Sequence, residues 1–337
     1  MEKTLISINY DKIRETSKEV NNIIRNIKID PFTDPQYYPP ITASKEDVLR
    51  YFIFMVAIDH RTSRPNTPYE AIINGKLYHG ADLLYRLGML KWNEDPDFFS
   101  PSRMAKITVD EVKSWLTAKL YDRKVCVPDI EIRAMLLRDL GLKLLRLYDG
   151  SVEKMIQLTN NRVKYRNEGL VNRLKVFTAY EDPVEKKAYL FIKFITRRKL
   201  FSPIDKENLE VPVDNHLTRI AIRLGYVNIQ GKLYEKIVNG IETTWEEDVL
   251  IRMSVRMAFK YLSKIINIDP TILDDFLWMF GRTCCLRDGP RCHNPSEKCI
   301  KYGWCDEKGC KLRHVCPTAN NEPPILNEHT YYNTWYY

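Results

Sequence analysis

The 337-residue sequence predicts a mostly α-helical protein, on three observations. Glycine is scarce, with 13 residues in the chain, and long stretches repeat apolar residues at intervals of three and four. Few segments alternate between apolar and polar residues with the period of two that half-buried strands show. Because a chain of this length can bury a sizeable core, we expect one large helical body.

Helical elements are predicted in order along the first half of the chain. Residues 11–28 have the pattern of a charged amphipathic helix. The proline-rich connector that follows ends at Ser44, a residue type favoured at the N-cap position. Four further segments repeat apolar residues at helical spacing: Val48–Ile58, Ala81–Leu90, Ile107–Tyr121 and Asp129–Tyr148.

The predicted division of the chain follows from these elements and from the distribution of cysteine. It gives an N-terminal helical extension and connector over 1–44, a helical body over 45–282, a cysteine-rich loop over 283–317 and an aromatic tail over 318–337. The sequence shows no internal repeat and no long Gly/Ser linker that would indicate another boundary.

The net charge and the hydropathy of the chain indicate which partners and which location to expect. The formal net charge of +8 and the pI near 8.9 favour an anionic partner such as nucleic acid, although excess lysine also serves solubility. No run approaches the roughly 20 apolar residues of a membrane span, and the first residues lack the apolar core of a signal peptide. We therefore expect a cytoplasmic monomer that does not enter a membrane.

Seven of the eight cysteines lie within the 37 residues from Gly281 to Pro317. In a reducing cytoplasm such clustering favours thiolate ligands of a metal centre over disulfides, which remain the alternative. Four thiolates can hold either a tetrahedral zinc ion or a [4Fe–4S] cube. The number of thiols does not decide between the two.

This segment resembles the iron–sulfur loop of DNA glycosylases of the endonuclease III and adenine-glycosylase type. Those enzymes close with Gly-Arg followed by cysteines spaced C-x6-C-x2-C-x5-C, and this chain has Gly281-Arg282, "CLRDGPRC" from Cys285 and "CKLRHVC" from Cys310. The family's two-residue gap is replaced by the 17 residues between Cys292 and Cys310, an insertion that loop-closure entropy tolerates. The resemblance implies a [4Fe–4S] cluster on four ligands: Cys285, Cys292, Cys310 and Cys316.

Alternatives to this ligand set stay open. Cys299 can replace Cys310 as the third ligand, and a zinc site can replace the cube or lie beside it, since His293 and His314 also belong to the loop. The sequence assigns no role to Cys284, Cys299 or Cys305. The basic residues of the loop are expected to contact nucleic-acid phosphates: Arg287, Arg291, Lys298, Lys301, Lys311 and Arg313.

The segment "VPVDNHLTRIAIRLGYV", Val211–Val227, resembles the part of helix–hairpin–helix glycosylases in which an aspartate opens a helix. The resemblance implies that Asp214 is the catalytic carboxylate, which activates a water or a lysine and stabilises positive charge on the sugar. Asp214 also has the position of an N-cap at the start of an amphipathic helix. The two roles are compatible.

The segment "DPVEKKAYLFIKF", Asp182–Phe194, resembles the lysine-bearing helix of the archaeal 8-oxoguanine glycosylases. The resemblance implies a Schiff-base nucleophile at Lys186, with Lys187 one residue away and Lys193 further along the helix. The glycine-rich hairpin "LPGVGxxTA" of those enzymes does not precede Asp214.

The order of elements over Val127–Leu262 also resembles the queuosine-salvage nucleoside glycosylases, which share the helical architecture and lack the iron–sulfur loop. Three segments carry this resemblance: "VPDIEIRAMLLRDLGLKLLRLYDGS", "YLFIKF" and "TWEEDVLIRMSVRMAFKYL". It implies that Asp214 is still the catalytic carboxylate and that Lys193 replaces Lys186 as the pocket lysine.

Together these features favour a helix–hairpin–helix glycosylase-like fold. The expected function is an N-glycosylase, with or without lyase activity, that removes a flipped modified or damaged base from DNA. The alternatives are a salvage-type hydrolase acting on a modified nucleoside and a non-catalytic nucleic-acid-binding metalloprotein. The sequence identifies neither the base nor the metal, and it does not say whether water or lysine completes the reaction.

Overall fold

The computed structural model describes residues 6–25, 27–64, 67–320 and 326–337, and these residues are mostly helical, as predicted. They form two compact units. The cysteine unit contains the described residues of Met1–Ile29 and Leu209–Thr334, and the central unit contains those of Asp30–Asn208 and Trp335–Tyr337. None of the described helices combines the length and the apolar character that crossing a membrane requires.

The helices are numbered in chain order. They are α1 (Tyr10–Ile24), α2 (Lys45–Ala57), α3 (Ala81–Glu94), α4 (Pro101–Met104), α5 (Val109–Trp115), α6 (Ile130–Tyr148), α7 (Val152–Gln157), α8 (Leu170–Leu174), α9 (Lys186–Arg197), α10 (Asn215–Arg223), α11 (Gly231–Val238), α12 (Trp245–Ile266), α13 (Pro270–Thr283) and α14 (Glu297–Lys301). Short 3₁₀ helices lie at Pro96–Phe99, Thr178–Tyr180, Lys206–Asn208 and Pro317–Asn320.

The strands of the described residues pair into antiparallel two-stranded ribbons. The pairs are β1 (Ile6–Ile8) with β6 (Val227–Ile229), β2 (Glu70–Ile73) with β3 (Lys76–His79), β4 (Thr117–Leu120) with β5 (Arg123–Cys126), and β7 (Cys305–Asp306) with β8 (Gly309–Cys310). These short strands support a helical fold and form no extended sheet.

One predicted helix is wrong in its second half. The sequence predicted a helix over Ile107–Tyr121, whereas α5 ends at Trp115 and β4 begins at Thr117. Leu120 pairs with Arg123 across a two-residue turn in which Tyr121 has a φ of 52°. The apolar spacing of this segment fits a helix or a strand equally well, so only the partner strand decides between them.

Helices begin where the sequence offers a capping side chain. Ser44 is the N-cap of α2, as predicted, because its hydroxyl accepts a hydrogen bond from the Asp47 amide at 3.1 Å. Thr108 and Thr244 each form a capping box with a glutamate three residues on, at the starts of α5 and α12. The predicted helix over 11–28 is shorter than expected, since α1 ends at Ile24.

The core of the central unit fixes the lysine-bearing helix α9. Every residue of α2 from Leu49 onward except Arg50 is buried, and α2 packs against α9. Phe52 of α2 stacks on Phe194 of α9, with ring centroids 4.9 Å apart, and Phe32 meets the same ring edge-on at 4.5 Å. This aromatic packing holds α9 in one position.

The core of the cysteine unit brings α10 against α13. At their contact, a Cβ on Gly281 of α13 would lie 2.9 Å from the Cβ of His216 in α10, so only glycine allows the two helices to approach this closely. Helix α13 ends at Thr283 and leads directly into the cysteine-rich loop. The helix that begins after Asp214 and the loop that holds the cysteines are thus joined through α13.

Candidate functional site

Five thiols of the cysteine unit line one small cavity of about 20 Å³. Four of them are the predicted ligands Cys285, Cys292, Cys310 and Cys316, and the fifth is Cys284. The hairpin β7–β8 contributes Cys310, whose amide donates to the carbonyl oxygens of Arg291 and Cys292 at 3.0 Å each. The structure therefore brings the four predicted ligands around a common space.

The spacing of the sulfurs tests which groups these thiols fit. A single tetrahedral ion with Zn–S bonds of about 2.3 Å needs sulfurs roughly 3.8 Å apart. Among the described residues, the one set of three potential ligand atoms within 4.8 Å of one another is Cys284, Cys299 and Cys305. The four predicted ligands do not form such a set, although they line one cavity.

The compact thiol trio of Cys284, Cys299 and Cys305 is fully buried. Cys299 and Cys305 are joined as a disulfide, and the sulfur of Cys284 lies 3.4 Å from that of Cys305. With all three sulfurs as thiols, the trio could hold a metal ion. The sequence alone assigns these three cysteines no role, because they approach one another only through the folded loop.

Burial makes the thiols of the cavity weak acids. Removal from water, together with the neighbouring thiols, raises the pKa of Cys292 to about 11 and that of Cys316 to about 12. Both side chains are therefore protonated thiols at neutral pH when no cation is bound. A metal that binds here must displace these protons, so its affinity should rise with pH.

Two buried arginines of α10 hold the loop in place. Arg223 donates to the carbonyl oxygens of Leu286, Arg287 and Leu326 at 2.6 to 2.8 Å and to the Cys285 sulfur at 3.4 Å. Arg219 donates to the carbonyl oxygens of Gly281 and Cys285 at 3.0 Å and to the Glu328 carboxylate at 2.9 Å. Helix α10 is thereby tied to the cysteines along its length.

Asp214 is the N-cap of α10, as predicted. Its carboxylate accepts a hydrogen bond from the Leu217 amide at 2.9 Å, and the side chain is partly exposed to solvent. His216, two residues along, shares a hydrogen bond with Arg219 at 2.8 Å, and burial lowers its pKa. The carboxylate thus stands at the start of a helix whose other end is fixed by the cysteine loop.

The three candidate lysines lie on α9 in the central unit, and all are buried. The Lys186 ammonium group donates to the Asp59 carbonyl oxygen at 2.8 Å. Lys187 donates to the Ala57 carbonyl oxygen at 2.6 Å. The Nζ atom of Lys193 lies 5.6 Å from the centre of the Phe32 ring.

Lys187 has the most desolvated environment of these three lysines. Its side chain is 0% exposed, and burial followed by the nearby charges of Lys186 and Arg133 holds its pKa well below the ordinary value. A neutral amine is the form that attacks an anomeric carbon. Lys187 is the immediate neighbour of the predicted Lys186.

Sequence reasoning missed two buried polar side chains beside these lysines. His60 Nδ1 lies 3.5 Å from Lys187 Nζ, and the Asp182 carboxylate accepts from the Lys186 amide at 3.1 Å. Among the described atoms, His60 Nε2 and Asp182 Oδ2 have no hydrogen-bond partner. Burial lowers the pKa of His60 well below its usual value and raises the pKa of Asp182 to about 6. The polar "DHRT" directly after the apolar run of α2 was the available signal.

The basic residues of the cysteine loop differ in their exposure to solvent. Arg287 and Lys311, like Lys298 and Lys301, are exposed, as a phosphate contact requires. Arg313 is instead held inside the loop, with its side chain 10% exposed and hydrogen bonds to both Asp306 carboxylate oxygens at 2.9 and 3.0 Å. Arg291 is partly buried.

Comparison with known proteins gives one family. Residues 42–201 match the profile of the queuosine salvage protein family. The match covers just under half of the chain and contains α2 to α9, including the candidate lysines, whereas Asp214 and the cysteine loop lie outside it. No curated protein matches the chain significantly. Over this segment the chain is therefore similar to queuosine salvage proteins, and the wider relation to helix–hairpin–helix DNA glycosylases stays a prediction.

Proposed function

We propose that the protein is an N-glycosylase that hydrolyses a modified nucleoside of the queuosine type and releases its 7-deazaguanine base. The observation that carries this proposal is the match of residues 42–201 to the queuosine salvage protein family. This was the alternative in the sequence analysis. It replaces removal of a base from DNA, which has no comparable support.

Asp214 supplies the carboxylate of the proposed reaction. As the base departs, positive charge develops on the sugar, and a fixed carboxylate stabilises that charge and orients the attacking water. Asp214 suits this task because its side chain is partly exposed while its backbone begins a helix anchored by Arg219 and Arg223. A catalytic group gains from such rigid support.

Lys193 is the proposed pocket lysine, as the salvage resemblance implies. It lies in the matched segment, on the helix that the aromatic core holds in place. Hydrolysis by water leaves no covalent intermediate on a lysine. Borohydride trapping of an adduct would instead indicate a Schiff base, and its loss in Lys187→Ala or Lys186→Ala would identify the amine.

Cys285, Cys292, Cys310 and Cys316 are the proposed ligands of a thiolate-bound metal centre in the cysteine loop. Their arrangement around one cavity supports a thiolate-bound centre, for which the sequence resemblance implies a [4Fe–4S] cluster and zinc is the alternative. When bound, such a group cross-links the loop. Arg223 of α10 donates to the Cys285 sulfur at 3.4 Å, so a fixed loop also holds α10 in position.

The substitution Asp214→Asn tests the catalytic assignment. We expect release of the base from queuosine, followed by chromatography, to fall by roughly two to four orders of magnitude. Stability should change little, because asparagine caps a helix about as well as aspartate.

Asp269→Asn is the matched control for this substitution. Asp269 caps α13 in the same unit, with its carboxylate accepting from the Thr271 amide at 2.8 Å. This variant should keep the wild-type rate of base release. Full activity of Asp214→Asn, or equal losses in both variants, would remove Asp214 from the chemistry.

A further inference from the structure

The three sulfurs of Cys284, Cys299 and Cys305 come from three separate elements of the cysteine unit. Cys284 is the C-cap of α13, Cys299 lies in α14, and Cys305 lies in β7. The side chains are 1%, 0% and 3% exposed, and their sulfurs lie within 4.8 Å of one another. The fold of the loop therefore gathers all three at one buried point.

An aromatic cluster adjoins these cysteines in the chain, since Trp304 directly precedes Cys305. The Trp304 ring, 2% exposed, lies edge-on to Phe276 and Phe280 at 5.7 and 5.9 Å and stacks on Tyr302 at 4.6 Å. The Trp304 amide donates to the Cys299 carbonyl oxygen at 3.2 Å, which fixes the backbone beside the sulfur. Attraction between thiolates and a cation is strong in such a dry environment.

The three sulfurs lie close enough together to serve one small ion once the disulfide is open. Four-coordinate zinc with bonds of about 2.3 Å places its sulfur ligands roughly 3.8 Å apart, and Cys284 and Cys305 already lie at 3.4 Å. The disulfide between Cys299 and Cys305 uses two sulfurs and leaves Cys284 as a buried thiol against it. A single ion uses all three.

We propose that Cys284, Cys299 and Cys305 form a second metal site, which binds one soft divalent cation of the Zn²⁺ type. Opening the disulfide consumes two electrons and two protons, which a dithiol reductant supplies as it becomes a disulfide itself. Binding then exchanges the three thiol protons for one dication. This site is independent of the proposed function.

The second site is distinct from the four predicted ligands. The cavity lined by Cys285, Cys292, Cys310 and Cys316 does not include Cys299 or Cys305 among its lining residues. Cys284 touches both groups, since it lines the cavity and its thiol hydrogen-bonds to that of Cys310. Substitutions at Cys299 and Cys305 therefore remove sulfurs of the second site and leave all five thiols that line the cavity in place.

The test measures zinc per chain in the full-length protein, purified under a dithiol reductant and supplemented with Zn²⁺. We expect Cys299→Ser and Cys305→Ser to lose about one zinc per chain relative to wild type. Cys292→Ser and Cys316→Ser should keep that zinc. Cys126→Ser, in β5 of the central unit, is the control and should leave the metal content unchanged.

Three results would overturn the proposal. They are the wild-type zinc content in Cys299→Ser, no bound zinc in Cys292→Ser, and a Cys299–Cys305 disulfide that persists in the zinc-loaded wild type when thiols are counted after denaturation. If Cys299→Ser does not fold, as judged by circular dichroism, X-ray absorption at the zinc edge of Cys292→Ser decides. Sulfur ligands at about 2.3 Å in a Cys292→Ser background support the site, and their absence refutes it.

Discussion

Asp182 shows how burial changes the chemistry of a single residue. The carboxyl group is 0% exposed and accepts a hydrogen bond from the Lys186 amide. Burial raises its pKa from the usual 3.8 to about 6, because the charged form loses its hydration. The folded protein therefore holds a proton on Asp182 over a pH range in which the unfolded chain has released it.

This shift predicts a pH dependence of stability. Between the unfolded and folded pKa values the native state binds more protons, so the free energy of unfolding falls as pH rises. From pH 4 to pH 7 the wild type should lose about 2 kcal/mol relative to Asp182→Asn, since each pKa unit corresponds to roughly 1.4 kcal/mol and part of the loss falls below pH 4. Urea denaturation of both proteins across this range measures the difference.

Asp205 provides the opposite control. Its carboxylate accepts hydrogen bonds from the Val163 and Lys164 amides at 2.7 and 3.0 Å, and hydrogen bonding lowers its pKa despite desolvation. The wild type should therefore gain stability relative to Asp205→Asn as pH rises through the acidic range. The same trend for both aspartates would contradict the assignment at Asp182.

At the residue scale, the sequence predicted what depends on near neighbours. Ser44 and Asp214 were recognised as N-caps because a cap is defined by the few residues that follow it. His60 and Asp182 were missed, because their unusual environment exists only after α2 and α9 pack together.

At the scale of elements, the β7–β8 hairpin sets the geometry of the cysteine loop. Gly309 has a φ of 120°, and a Cβ at this position would collide with the carbonyl oxygen of Cys292. The next residue, Cys310, donates its amide to that same oxygen at 3.0 Å. The close approach that only glycine permits therefore holds two predicted ligands together.

Gly309→Ala should disrupt the proposed metal centre. Both the backbone strain and the collision with the Cys292 carbonyl oppose the native hairpin, so we expect loss of at least about 2 kcal/mol of stability and of bound metal. Gly289→Ala is the control, since Gly289 also has a positive φ, 66°, but no atom lies within 4 Å of the added Cβ. It should cost about 1 kcal/mol and keep the metal. Equal effects in both variants would show that the hairpin contact is unimportant.

Helices and strands were predictable where the spacing of apolar residues fits only one of the two. Helices α2 and α6 follow from sustained apolar spacing. The β4–β5 ribbon was missed because Leu116 and Leu120 fit a helix as well as a strand, and its partner strand lies beyond the local pattern. The cysteine trio was missed because its members belong to three separate elements that meet only in the folded loop.

At the scale of the whole molecule, the chain joins two kinds of segment. The central unit carries the buried lysines and the match to the queuosine salvage protein family. The cysteine unit carries Asp214 and seven of the eight cysteines. The mostly helical class was predictable from composition and periodicity, whereas the division into two units was not, because no linker-like sequence separates them.

The central claim is that the substrate is a nucleoside. Its most direct test compares two substrates of the wild-type protein: queuosine, and a duplex oligonucleotide that contains a damaged base. The measurement is the release of base from each. We predict release from the nucleoside, at a rate that changes little between about 50 and 200 mM salt. A DNA-binding enzyme with several phosphate contacts loses roughly three to five orders of magnitude in affinity over that range. Release from the duplex alone, with a steep loss on adding salt, would contradict the account.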